Sequence, residues 1–126
     1  MAKIFEDEFV QLSIEDNILH GLIYTEHMTL EDARKMVDSR LKALDGKTYP
    51  TFIDISRLKS ITKEARDYLA EGKAIENLSA TAFYANSAVS NLVASFFLSY
   101  SKPNLPTKVF SDKNEALLWL KQQNNH

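Results

Sequence analysis

Cysteine is absent from the 126 residues, which removes disulfides and thiol chemistry together and fits a reducing compartment. Only 3 glycines are present, and they form no loop of the kind that cradles a phosphate. A dominant charge is lacking as well. The 15 Lys and Arg set against 17 Asp and Glu leave a net charge of −2 and a pI near 5.9, so no general field draws nucleic acid or anionic lipid. The opening MAKIFEDEF turns acidic before an apolar run can develop; no secretory signal is expected there, and a cytoplasmic location is. No repeat, low-complexity tract or linker divides the chain. The remaining composition, 44% hydrophobic and 25% charged in 14.3 kDa, is that of one globular domain spanning residues 1–126.

Phe9 to Ile14 alternates apolar and polar residues. After Glu15-Asp16-Asn17 an apolar run resumes from Ile18 to Tyr24. Two strands joined by a tight turn are predicted, the first at the sheet edge with one wet face. Thr29 and Asp32 have the spacing of a capping box, and Leu30, Ala33, Val37, Leu41 and Leu44 then recur at helical steps until Asp45-Gly46-Lys47 ends the run.

The stretch from Tyr49 to Leu69 organises the rest. Phe52, Ile53 and Ile55 make a buried strand with one carboxylate, Asp54, and a polar loop leads to a second helix predicted from Thr62 to Ile75. Ser79 to Ala85 reads as a further strand, and Asn86-Ser87 caps a third helix running to Tyr100. The prolines of Ser101 to Pro106 stop it. Thr107 to Phe110 is extended, Ser111-Asp112 caps the last helix, and Ala116, Leu117, Trp119 and Leu120 form its buried face. The tail from Gln122 to His126 is expected to fray. The order β β α β α β α β α implies parallel crossovers in an α/β fold, with a mixed five-stranded sheet and about four helices.

The run from Asp54 to Leu69 resembles the STAS domain, the fold of bacterial anti-sigma-factor antagonists that recurs at the ends of sulfate transporters. Such a domain shows a strand ending in D-L/I-S, a short loop, then D-S-S-G-L at a helix start, with a serine whose phosphorylation switches partner binding. Asp54-Ile55-Ser56 fits the first half. Thr62-Lys63-Glu64-Ala65 stands in place of the second, so the phosphorylatable serine is missing. Over nearly the full length the chain is similar to an uncharacterised STAS-like, SpoIIAA-like group of small bacterial proteins. That likeness is carried by Asp54 to Ser56, Ile61 to Arg66, Asn86-Ser87, Phe96-Phe97, Lys102-Pro103, Pro106 to Phe110 and Ala116 to Leu120. The resemblance implies a partner-binding or ligand-sensing module.

Ligands in an α/β sheet usually sit on the rim at the carboxyl ends of the strands, where helix N-termini offer free N–H groups. The residues predicted there are Thr25, His27, Thr29, Ser56, Arg57, Thr62, Asn86, Ser87, Ser111 and Asp112. Arg57, Lys59 and Lys63 flank the second helix and would suit a phosphate or carboxylate, while helix capping and solvated loops account for the same residue types. Asp54 needs a strand-end hydrogen bond if buried; left unpaired it would be a candidate acid or base. His20, His27 and His126 have no metal-ligand spacing, so no metal or cofactor is expected. A dyad of His27 with a rim serine is geometrically conceivable, but no spacing or G-x-S-x-G elbow supports it.

From Asn77 to Ser101 the chain carries no charge. Leu92, Phe96, Phe97 and Tyr100, with Val89 and Val93, give the third helix one wide apolar face, and Ala94 and Leu98 spill onto another. Core packing, a self-association or partner surface, and an apolar ligand lying beneath are the readings open to it. A membrane span is not, because Asn86-Ser87 and the serines interrupt the run. The expectation is a non-catalytic interaction or regulatory module acting on a protein partner or as a homodimer, with no nucleic acid. Binding or sensing of a small anion or lipid is the second reading, and an enzyme the third.

Overall fold

A computed structural model describes residues 2–124. Six strands form the main sheet: β1 (Ala2–Glu6), β2 (Val10–Glu15), β3 (Ile18–Ile23), β5 (Tyr49–Asp54), β7 (Leu78–Tyr84) and β8 (Thr107–Phe110), side by side in that order. The first three are antiparallel and the rest parallel. A two-stranded parallel ladder, β4 (His27–Met28) with β6 (Ser60–Ile61), stands apart.

The sheet therefore has one strand more than expected, and the edge belongs to Ala2–Glu6, with Val10–Glu15 second. The register of β1 slips between Lys3 and Phe5, so Ile4 and Phe5 both pack on the core and no period-2 alternation survives to be read. Asp16 and Asn17, at φ 52° and 62°, make the two-residue turn between β2 and β3. Their short side chains tolerate the left-handed region that such a hairpin requires.

Helix α1 (Leu30–Leu44) opens on the reciprocal Thr29–Asp32 capping box and closes through Asp45 in the left-handed region. It buries Ala33, Met36, Val37 and Leu44. Helix α2 (Lys63–Leu69) is shorter than expected. The chain breaks at Glu71 and resumes as a 3-10 turn over Gly72–Ile75. Gly72 sits at φ 61° with open space around it, so its role is backbone geometry and not close contact. Helix α3 (Ala88–Phe96) runs on into a π-helical turn, Phe97–Ser101, and α4 (Lys113–Asn124) closes the fold. The fraying expected from Gln122 onward falls partly outside the described residues, which exclude Asn125 and His126.

Both sheet faces are covered. On one, Leu12, Leu19 and Ile23 meet Ala33, Met36 and Leu44 of α1, Ala65 of α2 and Ala94 of α3. On the other, Ile18, Phe52, Ala80 and Ala82 pack under Ala116 and Leu120 of α4. Neighbouring residues on a strand serve opposite layers, which is why the central strands read as continuous apolar runs.

Candidate functional site

The loop between β5 and α2 is tied to β4 and the residue before it. Lys59 and Ser60 donate their backbone N–H groups to the Glu26 carbonyl at 2.7 and 3.1 Å, and Thr62 donates to that of Met28 at 3.0 Å. This fastening sets the rim. Asp54 has the strand-end partner expected of it, its Oδ1 accepting from the Ser56 N–H at 2.9 Å. Each of the three expected cations is already engaged. Arg57 lies over the Tyr24 ring, 4.9 Å from its centroid. Lys59 pairs with Glu26 at 2.6 Å and Lys63 with Asp67 at 2.8 Å. Lys59 holds the Glu26 carboxyl below its ordinary range, and Asp67 raises the Lys63 ammonium.

Thr62 caps α2 by accepting from the Ala65 N–H at 3.2 Å. Ser87 and Ser90 cap α3 reciprocally, each hydroxyl accepting from the other's N–H, while Asn86 is exposed. Two rim hydroxyls, Thr25 Oγ1 and Ser56 Oγ, are buried with no partner among the described residues. His27 Nδ1 does meet a serine, Ser60 Oγ at 2.8 Å, as the facing pair of the β4–β6 ladder. Both are exposed, and no carboxylate is hydrogen-bonded to this histidine among the described residues.

The α3 face divides. Val89, Leu92, Phe96 and Tyr100 are 48%, 60%, 45% and 72% exposed and form a stripe at helical spacing. Phe96 stacks on Tyr100 with centroids 5.1 Å apart, and Arg66 of α2 lies 5.8 Å from the Phe96 centroid. Phe97, expected on that same surface, is 7% exposed and belongs to the interior. Standing three residues after Ala94 and seven after Ser90, both buried, it is turned inward by ordinary helical spacing.

Two hollows were not apparent in the sequence. One, of about 140 Å³, lies between the sheet and α1, the 3-10 turn and α3, with Phe83, Phe97 and Arg40 in its wall. The other, of about 160 Å³, lies on the α4 side and gathers Gln11, Ser13, His20, Asp54 and Lys113. There His20 is buried against Phe52. Burial, then the nearby Lys113, pushes its imidazole below its ordinary value, so it is neutral at pH 7. Their members come from separate strands and helices, so no local spacing announces either. Among the described residues no group of three His, Cys, Asp or Glu could hold a metal, and no helix is long and apolar enough to cross a membrane.

A family model described as a domain of unknown function, DUF7793, matches residues 12–124. Among solved structures, an uncharacterised DUF3478-family protein with a SpoIIAA-like fold, from Shewanella loihica PV-4, is 20% identical. It covers 88% of this chain and 91% of its own, with a TM-score of 0.63. A protein of unknown function from Arthrobacter sp. FB24 is 22% identical over 87% of this chain and 97% of its own, with a TM-score of 0.31. A search of curated proteins finds no match. The Shewanella structure and this one share a fold, the SpoIIAA-like α/β arrangement that the resemblance implies.

Proposed function

The chain belongs to the DUF7793 family, and from that premise we propose that it is a non-catalytic interaction or regulatory module, folded as one domain and docking through α3. The observation that carries this reading is the exposed stripe of Val89, Leu92, Phe96 and Tyr100. Isolated exposed apolar residues are ordinary, but a contiguous face of four large ones marks a contact surface. Taking a fully exposed side chain of this kind out of water contributes about 1.5–3 kcal/mol, and these four, already part-covered, contribute a share of that each.

A second copy of the chain is the occupant this face suits best. No charged residue occurs between Asn77 and Ser101, so two copies meeting α3 against α3 bring no like charges of that segment together. Such an isologous contact uses the same patch twice. The polar groups of the rim support binding over chemistry, since Asp54, Thr62 and Ser87 each spend their oxygens on backbone N–H groups. The lack of cysteine suits the reducing cytoplasm.

Light scattering across a concentration series tests the reading. Wild-type protein is expected to dimerise as concentration rises, and Leu92→Glu to stay monomeric with an unchanged unfolding midpoint. A wild-type protein that remains strictly monomeric at millimolar concentration overturns the second copy as occupant.

A further inference from the structure

Interiors are packed densely enough that voids larger than a water molecule are few. Beneath α3 a cavity of about 140 Å³ breaks that rule. Its wall is aliphatic and aromatic, with Met36, Ile53, Phe83 and Phe97 among its members. Half-buried Ile75, Pro103 and Leu105 line it too and mark where it opens toward solvent.

The sheet gives this hollow hydroxyls, yet they offer almost nothing to water. Thr51, Thr81 and Thr107 stand side by side on β5, β7 and β8, and all three line it. Thr51 Oγ1 donates to the Tyr49 carbonyl at 3.3 Å and Thr107 Oγ1 to that of Leu105 at 3.0 Å. Buried Thr81 then supplies a single hydroxyl, where a lodged water needs about two to four polar partners. Arg40 borders the hollow without serving it: its Nη2 donates to the carbonyls of Ala74 and Glu76 at 3.0 Å each, and its Nε is sealed off. A space walled in this way stays dry, and hydrocarbon that enters leaves water and gains close contacts with no polar group to desolvate.

We propose that this cavity binds the hydrocarbon part of a small ligand, lying against Phe83 and Phe97. About six carbons fit within the walls, since ~150 Å³ of this kind holds a benzene-sized guest. A phosphate, nucleotide or sugar would strand its polar groups against the same walls. A free compact molecule and the tail of a lipid share the chemistry that the wall accepts. The site lies on the inner side of α3 and does not depend on the outer stripe docking anything.

Calorimetric titration of the full chain with straight-chain butanol, pentanol, hexanol and octanol tests this. Affinity is expected to rise about fourfold per methylene from butanol to hexanol, as it does for a CH₂ taken out of water. A rise that stops at hexanol assigns the site to a free compact guest; one that continues to octanol assigns it to a longer chain leaving past Ile75 and Leu105, as a lipid tail would. Gly21→Ala sets a methyl against Leu12 and Ile53 of the wall, and Thr81→Ile adds bulk from β7. Each is expected to weaken hexanol binding about fourfold, the loss of room for one carbon. Leu92→Glu, on the outer stripe, is expected to leave hexanol binding unchanged. No binding, affinities that do not grow with chain length, full hexanol binding in both filled variants, or a loss in Leu92→Glu overturns the proposal. Should Thr81→Ile fail to fold, Gly21→Ala decides alone, and unchanged hexanol binding in it overturns the site.

Discussion

The ring of Phe97 stands edge-on to that of Phe83, with centroids 5.6 Å apart and planes at 88°. Such T-shaped pairs add to what burial alone contributes. The preceding residue, Phe96, stays outside and stacks on Tyr100. Two adjacent phenylalanines thus serve different surfaces: one borders the cavity, the other belongs to the exposed stripe. The π turn that begins at Phe97 joins the two.

Truncating each ring is expected to separate the roles. Phe97→Ala removes a buried aromatic and enlarges a hollow that already exists, so a loss of about 3–5 kcal/mol in urea unfolding is expected. Phe96→Ala is expected to change stability by less than about 1 kcal/mol and to weaken the concentration-dependent dimer. Similar losses in both variants would contradict this division.

Much of this was open to reading from local pattern. α1 and α4 follow from three- and four-residue spacing, and Phe52 to Ile55 announces the central strand with its single carboxylate. The bulge in β1 hid a strand because Ile4 and Phe5 break alternation. α2 seemed longer because apolar spacing continues across Gly72, whose positive φ carries no side-chain signature. The inward direction of Phe97 lay in the spacing, since Ser90, Ala94 and Phe97 fall on one helical stripe, but the apolar residues on both sides of that stripe make the face read wider than it is. Arg57, Lys59 and Lys63 are close in sequence and look convergent. Their actual partners, Tyr24, Glu26 and Asp67, lie on three different segments. The cavity depends on how the segments of its wall stack, and no one of them shows it.

Gly21 is expected to be replaceable with gain. It lies inside β3, and a Cβ built there would meet Leu12 Cδ2 at 3.6 Å and Ile53 Cγ1 at 3.9 Å, ordinary contact distances. With no positive φ to preserve, Gly21→Ala narrows the unfolded ensemble and is expected to add about 0.4–1 kcal/mol. A raised urea midpoint at unchanged slope would verify it; a lowered midpoint would show that the strand needs glycine.

The Ser87–Ser90 pair fixes where α3 begins, and with it the angle of the exposed stripe. Ser87 Oγ accepts from the Ser90 N–H at 3.0 Å, and Ser90 Oγ from the Ser87 N–H at 3.2 Å. Ser87→Ala is expected to cost about 0.5–2 kcal/mol, and Ser87→Asp to recover most of it, because a carboxylate also caps and favours the helix N-terminus. Stability measured by chemical denaturation reads both, and an Asp variant as weak as the Ala variant would show that the loss has another origin.

Acid is expected to weaken the extra edge strand. Glu6 of β1 accepts from the Tyr24 hydroxyl at 2.6 Å and from Lys3 Nζ at 2.9 Å. The tyrosine bond, then the lysine, lowers its pKa from 4.5 to about 2. A carboxylate depressed on folding contributes stability that is fully present above the unfolded value and disappears as pH falls through the folded one. The window therefore runs downward from about 4.5 to about 2. The same bond raises Tyr24, so that contribution is present below the ordinary tyrosine value and is lost as pH rises through the folded one. Tyr24→Phe is expected to move the Glu6 titration, followed by carboxyl NMR, back toward 4.5 and to speed hydrogen exchange of the β1 amides at neutral pH. A Glu6 carboxyl that already titrates at its ordinary value in wild type would mean that the bond joining β1 to the end of β3 does not persist in solution.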